Sequence, residues 1–187
     1  LLAGGSVAAA AAARVAREHG FGTAILTTRL RGEARVVGAY LADLARCAST
    51  MGPTALVAAG ETTVHVRGSG CGGRNLETAL AAALGLAGSD GSCILAASTD
   101  GVDGSSPAAG AVVDGSTVHR GLARGRDALA LRENNDSWSF FAELEEAVIT
   151  GPTGTNVADL AFILSSGGIA DFLAAPQRHV VTATLAR

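Results

Sequence analysis

The chain of 187 residues contains no lysine, and all 14 of its basic residues are arginine. A Walker-type phosphate loop and a Schiff base both need a lysine, so neither chemistry is available within it. Its 3 cysteines, Cys47, Cys71 and Cys93, are far apart and form no Cys-x-x-Cys pair. Neither a zinc ribbon nor a disulfide framework is indicated, and free cytosolic thiols are the expectation. His19, His65, His119 and His179 lack the i, i+4 spacing of a helical metal site, so they read as structural or surface residues. No basic cluster accompanies the formal net charge of -3, which argues against a nucleic-acid partner. No apolar run reaches the roughly 18 to 20 residues of a membrane span. The opening "LLAGGSVAAAAAARVA" lacks the basic start of a signal peptide and reads as an alanine-rich helix. The expected compartment is the cytoplasm.

What is present is a hydrophobic fraction of 48% and 25 glycines, enough to bury one sizeable core. Ser6 is the expected N-cap of a helix ending at His19, with Gly20 as its left-handed stop. "GTAILTT" and "TALVAAG" read as strands, and a helix from Gly32 to about Ala48 lies between them, its apolar period carried by Val36, Val37, Tyr40, Leu41 and Leu44. This alternation predicts a layered α/β domain with crossover units. Thr62 to Arg67 alternates as a half-buried strand would, and Asn75 to Leu86 reads as a helix. "SCILAAST" is a buried strand, "AGAVVDG" a short strand and turn, and "VADLAFIL" a last strand. Two helices are expected between Ser116 and Leu144, the second capped by Asp136. Residues 165–187 read as one more helix and strand.

Three junctions carry chemistry. In "VHVRGSGCGGRN", Gly68, Gly70 and Gly73 have the G-x-G-x-x-G spacing between an expected strand and a helix. A dinucleotide fingerprint, a phosphate or carboxylate cradle and a simple tight turn are all open readings. The acidic residue expected at the end of the next strand is not cleanly present, since Asp90 precedes that strand and Asp100 lies far along. Unpaired amides and the dipole at the helix start favour an anion by about 0.3–1 kcal/mol, and Arg74 adds a full charge able to make two parallel bonds. In "DGVDGSSPAAG", Asp100 and Asp103 are candidates for a magnesium site or a proton acceptor, and turn chemistry alone explains them equally well. In "GPTGTN", Thr153, Thr155 and Asn156 offer donors to a polar ligand.

Four blocks in order, "GETTVHVRGSGCGGRNLE", "STDGVDGSSPAAGAVVDG", "NNDSWSFF" and "TGPTGTNVADL", resemble the MOFRL domain at the carboxyl end of the glycerate 2-kinase family. The resemblance implies a three-layer α/β/α sandwich with a mixed β-sheet. It divides a single domain, 1–187, into a preceding segment (1–58), the MOFRL domain (59–164) and a divergent tail (165–187). It implies use of ATP and Mg2+ to phosphorylate D-glycerate to 2-phosphoglycerate, in serine, glyoxylate or tartrate metabolism. The cleft's other wall, the nucleotide-binding first domain with its lysine, is expected to be missing from this chain, which would then be inactive alone. By the same resemblance Arg74 is catalytic, and Asp100, the proton acceptor read from its own loop, is the second catalytic candidate. Glu61, Gly70, Gly72, Gly73, Asn75, Glu77, Thr153, Thr155 and Asn156 would bind substrate or phosphate, and Asp100 and Asp103 the metal. Ser69, Cys71 and Leu76 depart from the family's usual "GxGxGGRNQE" block, so either reduced anion affinity or the loss of a direct ligand contact is expected. A hydroxypyruvate reductase using NAD(P) and a non-catalytic anion-binding or interaction domain are the competing readings. An exposed former domain interface would favour a homodimer.

Overall fold

A computed structural model describes residues 4–166; the helix and strand expected within 165–187 lie almost wholly outside them. α1 (Gly5–Glu18) starts one residue before Ser6, with Gly4 as N-cap and no side-chain cap. The extended Gly4 lets its own carbonyl accept from Val7 and Ala8, so Ser6 falls inside the first turn and its hydroxyl is not the cap. Gly20, at φ +87°, stops the helix as expected.

β1 (Gly22–Leu30), α2 (Ala34–Ala48) and β2 (Thr54–Gly60) form a crossover unit, and β1 and β2 pair in parallel. α3 (Arg74–Leu86), β3 (Ser92–Ser98) and β4 (Gly110–Asp114) follow. Three short helices come next, α4 (Thr117–Ala123), α5 (Ala128–Glu133) and α6 (Ser137–Ala142), where two were expected. Gly125, at φ +72°, and Asp127, whose carboxylate accepts from the Leu129 and Ala130 amides, divide the first of those two. β5 (Ala147–Val148) and β6 (Asp159–Ser165) complete a six-stranded sheet of order β1-β2-β6-β3-β4-β5.

β6 inserts between β2 and β3, antiparallel to both, and Asp159 is paired with Gly60 on one side and Ser98 on the other. The carboxyl ends of β2 and β3 and the start of β6 therefore share one edge of the sheet. Successive residues of a strand point to opposite faces. Val57, Ala59, Leu160 and Phe162 accordingly meet Ala9 and Ala13 of α1, while Ala58, Ala161, Ile163, Ile94 and Ala96 join the larger core with α2 and α3. Helices on both faces of a mixed sheet give the expected three layers.

α2 and α3 approach almost backbone to backbone. A Cβ on Gly38 would fall 2.2 Å from the Thr78 carbonyl oxygen, and one on Gly85 would fall 2.6 Å from the Ala42 Cβ. This close crossing explains why α2 buries its small face, Ala34, Gly38, Ala42 and Ala45 with Val37 and Leu41. Val36 and Tyr40, expected on the apolar stripe, are instead 61% and 59% exposed.

Candidate functional site

Arg74 is the first residue of α3 and stands at the shared sheet edge. Its Nε donates to Asp159 Oδ2 at 2.5 Å and its Nη2 to Asp159 Oδ1 at 2.8 Å, the two-pronged geometry suited to guanidinium and carboxylate. Glu61, just past β2, approaches Nη2 at 3.5 Å. The bond to Asp159 holds the Arg74 pKa above the ordinary arginine value. The head group is turned inward, yet its side chain stays 26% exposed. Beside it opens a cavity of about 570 Å³ whose walls include Glu61, Thr63, Gly72, Gly73 and Ser105. One arginine thus has a buried anchor and an open face.

The glycine-rich stretch differs from the expected cradle. Thr62 to Arg67 forms no strand, and its sole ladder contact among the described residues is a bridge from Thr63 to Glu33. The amides beyond it are taken by side chains from the turn between α5 and α6. Asn135 Oδ1 accepts from Arg67 and Gly68 at 2.7 and 3.0 Å, Asn134 Oδ1 from Ser69, and Asp136 Oδ1 from Cys71. The Asn134 carbonyl takes Gly70 and Ser105 Oγ takes Gly72. The main-chain donors of Gly70 and Gly72 are therefore already satisfied within the protein, which corrects their expected role as phosphate donors. The glycines are needed for internal fit. A Cβ at Gly68, Gly70, Gly72 or Gly73 would lie 2.3–2.4 Å from Asn134, Asp136, Ser137 or Asp103 respectively.

Asp103 also departs from expectation. It is fully buried; Oδ1 accepts from the Asn75 amide and Nδ2, and Oδ2 from the Leu76 amide. Its carboxylate thus fills the anion position at the start of α3 that the helix dipole favours, although burial pushes its pKa above the ordinary aspartate value. Asn75, held against Asp103, is equally closed to a ligand. Asp100 instead receives hydrogen bonds from Ser98 Oγ and the Val102 amide at Oδ1, so the two aspartates make no metal site together. Among the described residues no group of three or more His, Cys, Asp or Glu could hold a metal ion.

Glu77 lines the cavity but is 2% exposed. Its Oε2 accepts from Asn135 Nδ2 at 2.8 Å and its Oε1 faces Arg35 Nε at 3.5 Å, which makes it a brace for the loop rather than the substrate ligand expected. The "GPTGTN" turn does converge on Asp100. Thr153 donates its amide to the Asp100 carbonyl and its hydroxyl to Thr99 O, so that hydroxyl proton is not offered outward. Asn156 Nδ2 reaches Asp100 Oδ2 at 3.4 Å, and Thr155 is exposed beside it. Ala158, at φ +76°, then turns the chain into β6, a left-handed conformation that costs a non-glycine residue about 1–2 kcal/mol. Glu61, Arg74, Asp100, Thr155 and Asn156 are the expected residues that remain open at this edge.

Sequence reasoning missed Asp159, Ser105 and the clamp formed by Asn134, Asn135 and Asp136. Asp136 precedes α6 as expected, but its side chain bonds Cys71 and Ser139 and makes no backbone cap. Two asparagines and an aspartate in a row were a signal of local backbone capture; their target, some 65 residues away, had no local mark.

The profile of the MOFRL family matches residues 54–159. A Thermotoga maritima protein named D-glycerate 2-kinase is 45% identical over 151 residues, covering 78% of this chain and 36% of that protein. An Agrobacterium vitis protein named putative hydroxypyruvate reductase is 41% identical over 171 residues, covering 88% of this chain and 44% of its own length. The crystal structure of glycerate kinase from Thermotoga maritima superposes with a TM-score of 0.85 at 42% identity, covering 87% of this chain and 40% of that one. This chain spans about two fifths of the length of such relatives.

Proposed function

Because this chain belongs to the MOFRL family, we propose that it forms the carboxyl-terminal part of a glycerate 2-kinase, one wall of a cleft completed by a nucleotide-binding first domain. Residues 1–58 supply α1, β1 and α2 of the same single domain. The carrying observation is the Arg74 guanidinium, anchored on Asp159 and open to a cavity beside Glu61. A fixed guanidinium meets the charge on a transferring phosphoryl group without reorganising, and such preorganised donors are worth about a hundredfold or more in rate.

In the transfer, the 2-hydroxyl oxygen of D-glycerate bonds to the γ-phosphorus of ATP as the bond to the β–γ bridging oxygen breaks, ADP leaves with that oxygen, and the hydroxyl proton passes to water. Asp100 accepts the hydrogen bond of that hydroxyl. The Ser98 hydroxyl and Val102 amide hold its pKa below the ordinary aspartate value, so it orients better than it deprotonates. A loose phosphoryl-transfer transition state demands little base strength. Asn156 and Thr155 contribute donors to the glycerate carboxylate. Asp103 is committed to α3, and Asp100 alone is no magnesium site, so Mg2+ would come with the ATP phosphates rather than be held by these two aspartates. No helix of the described residues is long and apolar enough to cross a membrane.

The test is the full-length protein containing this chain, supplied with ATP, Mg2+ and D-glycerate. Formation of 2-phosphoglycerate is expected, and its absence rejects the reading. The hydroxypyruvate reductase reading needs a bound nicotinamide nucleotide, yet the amides of Gly68 and Gly70 in the G-x-G-x-x-G stretch are occupied and no strand runs directly into it. Calorimetry with NAD(P) should show no binding.

A further inference from the structure

Arg74 is usable only if something fixes the plane of its head group, and one residue does. Asp159 is 5% exposed and begins β6, the strand between β2 and β3. Both of its oxygens are spent on the Nε and Nη2 of Arg74, so the guanidinium is gripped along one side while Nη1 carries no hydrogen bond among the described residues. Two fixed bonds define the plane, where a single bond would leave a rotation. The backbone around the acid is fixed too. Asp159 is in register with Gly60 and Ser98, and the left-handed Ala158 before it is held through its carbonyl by Thr99 Oγ1 at 2.7 Å.

We propose that Asp159 is a positioning residue for phosphoryl transfer, acting through Arg74 and never touching substrate; this rests on the kinase reading of the site. The pair has no net charge, so Asp159 opposes anion attraction while improving aim. This separates positioning from mere support. Removing the acid should leave binding of a phosphorylated substrate unchanged or tighter, because a nearby negative charge is gone. It should slow turnover, because misplacement of a reacting contact by about an ångström costs on the order of a hundredfold. A purely structural residue would weaken both together.

The experiment uses the full-length protein and Asp159→Asn, which keeps the shape and one acceptor, with Arg74→Lys and the double variant for comparison. The expected result for Asp159→Asn is a kcat lower by about ten- to a hundredfold, a KM for ATP equal to or below that of the wild type, and a small additional loss in the Arg74→Lys background. A proportional rise in KM, an unchanged kcat, or the same loss in both backgrounds overturns the proposal. Anchoring is also read without substrate, from the Nε–H resonance of Arg74 in 15N-labelled protein. It should stand apart from the other arginines in the wild type and merge with them in Asp159→Asn; an unmoved resonance refutes the anchor. A wild type with a resolved, variant-sensitive resonance but no glycerate phosphorylation would instead sink the kinase reading, and the transfer role with it.

Discussion

Asn135 Nδ2 donates to Glu77 Oε2 at 2.8 Å, joining the turn between α5 and α6 to the first turn of α3. The same side chain accepts from the amides of Arg67 and Gly68 through Oδ1. Its Nδ2 also donates to the His65 carbonyl at 3.3 Å, so Asn135→Ala takes a partner from four polar groups. A loss of about 2–3 kcal/mol is expected, since each buried unsatisfied group costs about 1–3 kcal/mol and water recovers part of it. Urea unfolding measures the total, and hydrogen exchange should speed up at Arg67 and Gly68 first. Unchanged protection there would mean the loop does not depend on this clamp.

Gly38→Ala tests the helix crossing. The added methyl meets a backbone carbonyl oxygen at 2.2 Å, which cannot rotate away, so α2 and α3 must separate. Overpacking of this kind costs about 1–3 kcal/mol. A midpoint of denaturation equal to that of the wild type would show that the helices are not in such close contact.

Asp103→Asn removes the carboxylate that accepts the first amides of α3. The expected cost is about 1–2 kcal/mol, as for loss of a good cap, with faster exchange at Asn75 and Leu76. The Mg2+ dependence of any glycerate phosphorylation should be unchanged in the full-length variant. A shifted metal requirement would restore Asp103 as a ligand.

Asp100 gives a pH signature. Its folded pKa is lowered, first by the Ser98 hydroxyl and then by the Val102 amide. The unfolded chain thus takes up the proton before the folded one as pH falls. The stabilisation is present above the ordinary aspartate value of about 3.9 and is lost between there and the lower folded value. Ser98→Ala should move the Asp100 carboxyl titration upward, read by NMR, and shrink that acid-side loss. A titration that does not move would remove Ser98 as the cause.

Arg74→Lys keeps the charge but loses the planar fork. Any phosphorylation of glycerate by the full-length protein is expected to fall by about a hundredfold or more, measured as kcat. Retention of wild-type turnover would mean that charge alone suffices.

β2, β3 and α3 were legible because their patterns are local and uninterrupted: "TALVAAG" and "SCILAAS" are continuous apolar strands, and α3 is a run of alanine and leucine. The site edge followed from the glycine and aspartate loops at the ends of those strands. Thr62 to Arg67 misled because its alternation is that of a strand while its Thr63 amide bonds the Gly32 carbonyl and its Arg67 amide the side chain of Asn135, far along the chain. Val36 and Tyr40 misled for a related reason. Periodicity counts apolar residues, whereas the crossing with α3 selected for small ones. Asp159 was invisible because nothing local distinguishes an aspartate that starts a buried strand from one that ends a turn.

The segment from Arg67 to Gly72 takes its shape from Asn134, Asn135, Asp136 and Ser105, side chains outside its own stretch. For inheritance these stretches are one unit. A side chain at Gly68 or Gly70 would meet the main chain of Asn134 or Asp136, which no trimming relieves, so those two glycines are fixed, and Gly72, which faces the Ser137 hydroxyl, is the position where a paired change can reshape this side of the cavity.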